Sequence, residues 1–228
     1  MPLATYKDLC IDARDAEAAA RFWGTQLGLV PGPHRNGVWR LDDAAGHPQV
    51  WINPVPEPVT AKNRIHLDVN AETLRTALDA GAGVVDEQPR WTVLRDPDGQ
   101  EFCVFVRDEP VTQRIYELAW DTGDSPEACH RIAGWWAEVL GGRPDHDDER
   151  GFSWVEDIEG APFDSMVFGR VPEPKSVKNR VHIDVTTDDV DGLIAHGATL
   201  LRPRGHDGID WHVLADPDCN EFCAFTPD

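Results

Sequence analysis

The sequence has little positive charge, no long apolar run and no paired-cysteine motif. Its 228 residues carry 21 Lys and Arg against 41 Asp and Glu, a formal net charge of −20. This excess of acidic groups argues against nucleic acid or an anionic membrane surface as a partner. No apolar stretch approaches membrane-spanning length, and residues 1–9 lack the basic and apolar regions of a secretory signal. We therefore expect an acidic cytoplasmic protein without membrane or nucleic-acid partners.

Several catalytic and binding motifs are also missing from the sequence. It contains no Gly-rich phosphate loop, no Ser-His-Asp order and no zinc-finger spacing. Five cysteines without any Cys-x-x-Cys motif are typical of reduced thiols rather than of a disulfide framework. Cys103 and Cys223 lie in apolar strand-like segments, which favours small buried hydrophobic residues over nucleophiles.

What the sequence does contain is a long internal repeat. Residues 55–69 and 171–185 are identical at ten of fifteen positions, and residues 91–105 and 211–225 are also identical at ten of fifteen. The first pair of blocks is 116 residues apart, far beyond the roughly 20–50 residues of solenoid repeats. The repeat therefore predicts two domains, residues 1–108 and 115–228, joined by a linker over residues 109–114.

Strand and helix signals follow one order in each quarter of the chain. Asp15 is expected to cap a helix over residues 16–27, and Ser125 to cap another that ends before Gly141. Asn70 is expected to cap a helix over residues 71–80, and residues 144–151 to form an exposed acidic loop. The hairpin turn Asp-Pro-Asp-Gly of the first half has Cys219 in place of its glycine. Either Cys219 is strained by a positive φ, or the next residue adopts the left-handed conformation.

Two sets of motifs resemble the vicinal oxygen chelate superfamily and its glyoxalase-like proteins. One is Asp-x6-Phe-Trp-x3-Leu-Gly at residues 15–28, with a looser copy at residues 135–141. The other is Asn-Arg-hydrophobic-His-hydrophobic-Asp followed by Asp-Pro-Asp-x-x-Glu-Phe-Cys, present in both halves. The resemblance implies an α+β fold of tandem domains, in which four βαβββ modules form curled mixed sheets with open cups. It does not imply one reaction, because the superfamily includes glyoxalases, epimerases, dioxygenases, thiol transferases and antibiotic-binding proteins.

The resemblance also implies metal ligands on the first and last strands of the modules. Carried onto this sequence and grouped by half, they are Asp8, His66 and Glu101, and then Glu117, His182 and Glu221. One imidazole with two carboxylates suits Mn²⁺, Fe²⁺ or Mg²⁺ better than structural Zn²⁺, with Ni²⁺ also considered. Glu101 and Glu221 are in addition the candidate catalytic proton shuttles. The alternative is that each His–Glu pair is a buried hydrogen-bonded contact without metal.

Other repeated residues are candidates for ligand binding. Arg64 and Arg180 either clamp an anionic ligand or pair with the chain's own carboxylates. Four strand tryptophans either line an apolar pocket or belong to the core: Trp39, Trp91, Trp154 and Trp211. Asp68 and Asp184 orient a metal ligand, act as general bases or cap the approach to a helix, and the cap is the preferred interpretation. Seven histidines without a repeat partner are expected in loops or on the surface: His34, His47, His130, His146, His196, His206 and His212.

Two functions follow from these alternatives. The first is a metal-dependent lyase or isomerase acting on a hydroxy-carbonyl compound. The second is a metal-free protein that sequesters an aromatic or antibiotic-like molecule, and a module that has lost its chemistry is a third possibility. The sequence also leaves open whether each site lies within one half or across the two halves, as in a glyoxalase dimer. A monomeric pseudo-dimer and a homodimer are both consistent with the sequence.

Overall fold

A computed structural model describes residues 1–227 and contains four βαβββ modules in succession. Module 1 comprises β1 (Thr5–Ala13), α1 (Ala16–Leu27), β2 (Val30–Pro33), β3 (Trp39–Asp42) and β4 (Pro48–Pro54). Module 2 comprises β5 (Ile65–Ala71), α2 (Arg75–Asp79), β6 (Gly83–Glu87), β7 (Thr92–Arg95) and β8 (Glu101–Val106). Module 3 comprises β9 (Ile115–Thr122), α3 (Pro126–Leu140), β10 (Arg143–Asp147), β11 (Phe152–Glu156) and β12 (Ser165–Arg170). Module 4 comprises β13 (Val181–Thr186), α4 (Val190–Ala195), β14 (Thr199–Arg202), β15 (His212–Ala215) and β16 (Glu221–Phe225). The predicted α+β fold is confirmed; Asp228, the last residue of the predicted second domain, lies outside the described residues.

The two long helices begin and end where their capping residues predict. The Asp15 side chain accepts a hydrogen bond from the backbone N–H of Ala18, and α1 ends at Gly28 with φ 68°. The Ser125 hydroxyl accepts the equivalent bond in α3, which ends at a left-handed Gly141. Each cap satisfies a backbone donor that the first helical turn leaves without a partner.

The second helix is shorter than its sequence predicts, and Asn70 does not cap it. Strand β5 continues through Asn70 to Ala71, because both residues pair with the parallel strand β8. The Asn70 side chain donates to the Gln113 carbonyl and accepts from Arg107. Strand pairing thus competes successfully with the local helix signal, and α2 begins only at Arg75.

Strand β10 corrects the prediction of an exposed loop over residues 144–151. Residues Arg143–Asp147 pair with β11, and the turn that follows is closed by a hydrogen bond from the Gly151 N–H to the Asp147 carbonyl. Strand β2 was likewise not predicted. Both strands lie at sheet edges and are polar or proline-containing, so neither carries the apolar alternation that marks a strand in sequence.

Each of the two eight-stranded sheets combines one module from each half of the chain. The order is β14-β15-β16-β13-β1-β4-β3-β2 in one sheet and β10-β11-β12-β9-β5-β8-β7-β6 in the other. Antiparallel pairs β1–β13 and β5–β9 join the modules at the sheet centres. We call the curled face of modules 1 and 4 the first cup, and that of modules 2 and 3 the second cup. Of the two arrangements the sequence left open, the structure thus has cups shared between the halves.

The long helices lie against the faces opposite the cups and connect the two sheets. Trp23 of α1 contacts Phe102 of β8, with ring centroids 5.2 Å apart, and Trp136 of α3 contacts Phe222 of β16 at 5.3 Å. These rings belong to a single buried cluster that takes residues from all four modules. The apolar face of each central strand is thereby used for the core, which leaves the alternate residues for the cups.

The turns at residues 96–99 and 216–219 differ at their last residue. Gly99 has φ 96°, and Cys219 has φ 65° at the corresponding position. Cys219 therefore adopts the left-handed conformation itself, which settles the alternative in favour of strain at Cys219. A non-glycine residue in this region costs about 1–2 kcal/mol.

Candidate functional site

The second cup encloses a cavity of about 950 Å³. Its walls carry five aromatic side chains, namely Trp91, Phe105, Tyr116, Phe152 and Trp154. Its floor is polar and includes His66, Asp68, Cys103, Glu117 and Ser165. Charged side chains also line the cavity, among them Arg90, Arg107 and Arg150. A concave site that combines aromatic rings with convergent polar groups is typical of sites for small organic molecules.

Strand register brings four floor residues into one row across the sheet. Ser165 pairs with Glu117, Glu117 with Asp68, and Asp68 with Cys103. Register partners lie side by side, and residues two apart on one strand share a face. His66, two residues before Asp68, therefore lies on the same face, and its Nε2 is 3.4 Å from Asp68 Oδ1. We call Ser165, Glu117, Asp68 and Cys103 the floor row.

Burial controls the protonation of the floor. It raises the pKa of Asp68 well above its ordinary value, and the nearby Glu117 carboxylate raises it further. Burial also raises the pKa of Glu117, against hydrogen bonds from Ser165 and Tyr116. The Cys103 thiol, buried beside Asp68, has its pKa raised as well, and the pKa of His66 is lowered to about 4. Without a cation, the floor therefore favours a neutral imidazole and a thiol, and Asp68 takes up a proton more readily than an exposed carboxyl group does.

His66, Asp68 and Cys103 have the donor atoms of a metal site. One ligand atom from each lies within 4.8 Å of the others. Among the described residues, His66 Nδ1 and Asp68 Oδ1 are buried without a hydrogen-bond partner. Ligands of a tetrahedral Zn²⁺ ion lie roughly 3.3–3.8 Å apart, which is compatible with the 3.4 Å between His66 and Asp68. The residues fit a divalent transition metal, and the sulfur donor favours Zn²⁺, Ni²⁺ or Fe²⁺ over Mg²⁺ and Mn²⁺.

The first cup has a related floor but different walls. Asp8 pairs with Asp184, and Asp184 with Cys223. Cys10, His182 and Asp184 form a second group of close donor atoms. By register, Lys7 replaces Tyr116 and Arg40 replaces Trp154.

Charge compensation inside the first cup follows from these replacements. Lys7 is ion-paired with Asp8 and lies 4.5 Å from the centre of the Phe225 ring. Arg40 Nη2 is 3.0 Å from Asp42 Oδ2. Burial raises the pKa of Asp184 to about 7, while the Lys7 charge acts in the opposite direction. At these two positions the first cup therefore has Lys7 and Arg40, and the second cup has the aromatic residues Tyr116 and Trp154.

The ligand sets grouped by half in the sequence are not brought together. Asp8 shares a sheet with His182 and Glu221, whereas Glu117 shares a sheet with His66 and Glu101. The reason is that β1 pairs with β13 and β9 with β5. Both candidate proton shuttles are ion-paired: Glu101 with Arg95 at 2.8 Å and Glu221 with Lys175 at 2.8 Å.

The repeated arginines lie in contacts within the chain. Arg64 is buried, and its Nη2 donates to the Thr122 carbonyl at 3.5 Å. Arg180 donates to the Glu57 carbonyl and lies 3.6 Å from an Asp98 carboxylate oxygen. Arg180 therefore lies beside a carboxylate of the chain, whereas the Arg64 contact is to a backbone carbonyl.

The four strand tryptophans have different surroundings. Trp91 and Trp154 line the second cup, and Trp211 stacks on Phe225 at 5.5 Å on the cup face of module 4. The sequence predicts that Trp39 and Trp154 occupy matching positions, but Trp39 packs against the core, and its register partner is the buried Ile52. Arg40 occupies the position that corresponds to Trp154.

Sequence reasoning missed Cys103, Ser165 and Tyr116 and interpreted Asp68 as a cap. Asp68 lies within β5 with its side chain buried on the cup face. A usable signal was present for two of them, because Asp68 and Cys103 both recur in the repeat, as Asp184 and Cys223. Ser165 and Tyr116 do not recur in the repeat, and only the fold places them in the second cup.

Comparison with known proteins supports this architecture. The sequence profile of the glyoxalase-like domain matches residues 8–105 and 122–225. Glyoxalase I from Zea mays has a TM-score of 0.64 at 12% identity, covering 97% of this chain and 92% of that chain. A putative dioxygenase from Bacillus subtilis has a TM-score of 0.65 at 11% identity, covering 99% and 86%. The cppA protein from Streptococcus pneumoniae has a TM-score of 0.51 at 11% identity, covering 98% and 99%. These likenesses show a shared fold.

A search of curated protein sequences found no significant match. Within residues 1–227, no helix has the length and apolar character needed to cross a bilayer.

Proposed function

Because the chain belongs to the glyoxalase-like domain family, we propose that its second cup binds a small organic molecule and converts it. The proposed activity is that of a metal-dependent lyase or isomerase acting on a hydroxy-carbonyl compound. The observation that carries the proposal is the cavity of about 950 Å³, in which aromatic walls meet a floor of imidazole, thiol and carboxyl groups. The metal and the substrate class are both part of the proposal.

The walls favour a ligand with a flat apolar part. Trp91 stacks on Phe105 with ring centroids 5.8 Å apart, and Phe105 meets Tyr116 edge-on at 5.1 Å. Trp154 and Phe152 both lie on β11, with ring centroids 5.5 Å apart. Arg107 lies 4.4 Å from the centre of the Tyr116 ring, where its charge can attract an electron-rich or anionic group. The polar end of the ligand would then lie on the floor.

The floor supplies donors for a metal and a group for proton transfer. His66, Asp68 and Cys103 would hold the ion, and a bound divalent metal would supply Lewis-acid polarisation of the substrate's oxygens. Glu117 faces the cavity beside Asp68 with a raised pKa, as suits a group that takes a proton from carbon and returns it to a neighbouring carbon. Glu101 is the alternative proton shuttle, after release from its ion pair with Arg95.

The first cup provides a matched control for a test of metal binding. Metal content would be measured on protein purified without chelator, beside Asp68→Asn, Cys103→Ser and the first-cup variant Asp184→Asn. We expect about one equivalent to be lost with either second-cup variant, because each loses a direct ligand. Asp184→Asn should retain that equivalent. Unchanged metal content in both second-cup variants would contradict the proposed ligands.

A metal-free binding protein is the second candidate function. It is favoured by the burial of the floor, which raises the pKa of Asp68 and lowers that of His66 to about 4. A floor that disfavours charge, beside aromatic rings, suits an uncharged aromatic ligand. Fluorescence titration with small aromatic hydroxy-carbonyl compounds separates the two functions. Equal affinity with and without chelator, together with loss of affinity in Trp154→Leu, would favour sequestration.

A further inference from the structure

A third group of donor atoms lies outside both cups, on the surface of module 3. It consists of His130, His146 and Asp148, whose ligand atoms lie within 4.8 Å of one another. His130 Nε2 is 3.4 Å from Asp148 Oδ1, and His146 Nε2 is 3.6 Å from Asp148 Oδ2. The ring centroids of the two histidines are 4.5 Å apart. The two nitrogen–oxygen distances, which reach different oxygens of Asp148, lie close to the roughly 3.3–3.6 Å that separates nitrogen and oxygen ligands of a tetrahedral metal ion.

Separate elements hold the three residues. His130 lies on α3, one turn after the Ser125 cap, and His146 lies on β10, paired with Ser153. Asp148 follows in the turn that the Gly151 N–H closes on the Asp147 carbonyl. A metal held by these residues would therefore connect the helix to the edge strand. The arrangement leaves coordination positions open to solvent, since all three side chains are more than one third exposed.

The duplicated fold does not explain this group. Module 1 has Ala20 at the position of His130, counted from the helix cap, and Pro33 at the position of His146, given by strand register. The same helix and edge strand thus form in module 1 without either histidine. The two imidazoles are therefore not needed for the packing of the βαβββ module.

The surrounding charge favours a cation. Residues 145–150 contain four carboxylates and one cation, Arg150, which lies 3.6 Å from Asp147 Oδ2. Glu127 also interacts electrostatically with His130.

We propose that His130, His146 and Asp148 form a surface site for a divalent transition metal, with Zn²⁺ as the ion used to test it. Two imidazole nitrogens and one carboxylate oxygen are a common ligand set for this ion, with water at the remaining position. None of its three residues lines the second cup, although the neighbouring Asp147 and Arg150 do, and its metal would connect α3 to β10.

The test is a calorimetric Zn²⁺ titration of the chelator-treated full chain. The Asp68→Asn, Cys103→Ser background lacks two of the three metal ligands proposed for the second cup. The first-cup group of Cys10, His182 and Asp184 is the same in every variant compared, so differences between variants report on the surface site. In that background we compare His130→Gln with His146→Gln, their double variant, and Asp148→Asn. His47→Gln is the matched control, because His47 is an exposed histidine 3.4 Å from a single aspartate and has no second imidazole.

Loss of an outer partner of a metal ligand already costs about 10–100-fold in affinity, so each single variant should weaken Zn²⁺ binding at least about tenfold. The double variant should lose one Zn²⁺ equivalent, and Zn²⁺ should no longer raise its melting temperature by as much as it does in the parent. The control should bind like the parent. Unchanged stoichiometry and affinity in the double variant would overturn the proposal, whatever the metal content of the cups.

Discussion

At the scale of single residues, burial fixes the charge of the repeated histidines. Burial lowers the pKa of His182 from 6.5 to about 4. Below pH 6.5 the unfolded chain takes up a proton that the folded chain excludes. The contribution of His182 to the free energy of unfolding therefore falls as the pH drops from 6.5 to about 4, by about 3 kcal/mol at the limit.

The first prediction is that His182→Gln removes this acid sensitivity. Asp184, with its pKa raised to about 7, acts in the opposite direction, so the difference between variant and parent isolates the histidine. Urea unfolding at pH 7.0, 5.5 and 4.5 should show the variant gaining stability relative to the parent as the pH falls. His47→Gln, whose side chain is 75% exposed, should show a much smaller change. A pH-independent difference for His182→Gln would contradict a neutral buried imidazole.

The second prediction concerns the left-handed residue Cys219. Because Cys219 has φ 65°, Cys219→Gly should stabilise the protein by about 1 kcal/mol, less the entropy that glycine adds to the unfolded chain. The reciprocal change Gly99→Cys should destabilise it by a similar amount. Chemical denaturation of both variants measures the pair. Destabilisation by Cys219→Gly would show that the thiol contributes more than its backbone conformation costs.

Single residues of the site could be predicted from the sequence, but the residues that face them from other strands could not. Strand alternation correctly placed His66 and Asp68 on one face of β5. Nothing in the local sequence shows that Glu117 lies opposite Asp68, because strands 50 residues apart meet only through the fold. The apolar neighbours of Cys103 indicate a buried hydrophobic residue rather than a functional thiol. In the structure those neighbours face the core, and the thiol faces the cup.

At the scale of elements, the repeated Asn-Arg motif connects strands. Asn63 is buried, donates to Gln100 Oε1 at 2.6 Å and accepts from the Arg180 N–H at 3.2 Å. Gln100 in turn donates to the Asp12 carbonyl at 2.9 Å. The Asn63 side-chain amide thus links the residues just before β5 and β13 to the start of β8. This role explains the motif without a bound ligand.

The third prediction is that Asn63→Ala destabilises the protein by about 2–3 kcal/mol, because it leaves buried polar partners unsatisfied. Metal content in the second cup should be unchanged. Thermal and urea unfolding give the stability, with Asn53→Ala as the control, since Asn53 is half-buried and makes a longer bond of 3.4 Å to Asp12. A loss below 1 kcal/mol for Asn63→Ala would contradict this role.

Helices and central strands could be predicted because their signals are local. Asp15, Gly28, Ser125 and Gly141 mark the ends of α1 and α3. Edge strands β2 and β10 carry proline or charged residues instead of apolar alternation, so their pairing depends on the neighbouring strand. Pairing with β8 also holds Asn70 in the sheet, and α2 is therefore shorter than its local sequence predicts.

At the scale of the whole molecule, the repeat predicts duplication but not which modules pair. A sheet can be formed within each half or between the halves with the same local sequence signals. The structure has the second arrangement, with β1 on β13 and β5 on β9. The helices add contacts within each half, as Trp23 does with Phe102. The sheets and helices therefore join both halves into one core.

The fourth prediction is that residues 1–114 and 115–228, produced together as separate chains, assemble into a one-to-one complex. Each half alone exposes the edge of a central strand, β1 or β5 in one half and β9 or β13 in the other, so it should self-associate or aggregate. Light scattering and circular dichroism of the separate and combined halves provide the measurement. Two stable, folded monomers would contradict the shared sheets.

The central claim is that the floor of the second cup holds a divalent metal. Anomalous diffraction from crystals of the full chain grown with Zn²⁺ tests it most directly. We predict a peak at about 2.0–2.3 Å from His66, Asp68 and Cys103, separate from any peak at His130 and His146. An empty floor in crystals whose surface site is occupied would contradict the claim and leave the second cup as a metal-free binding site.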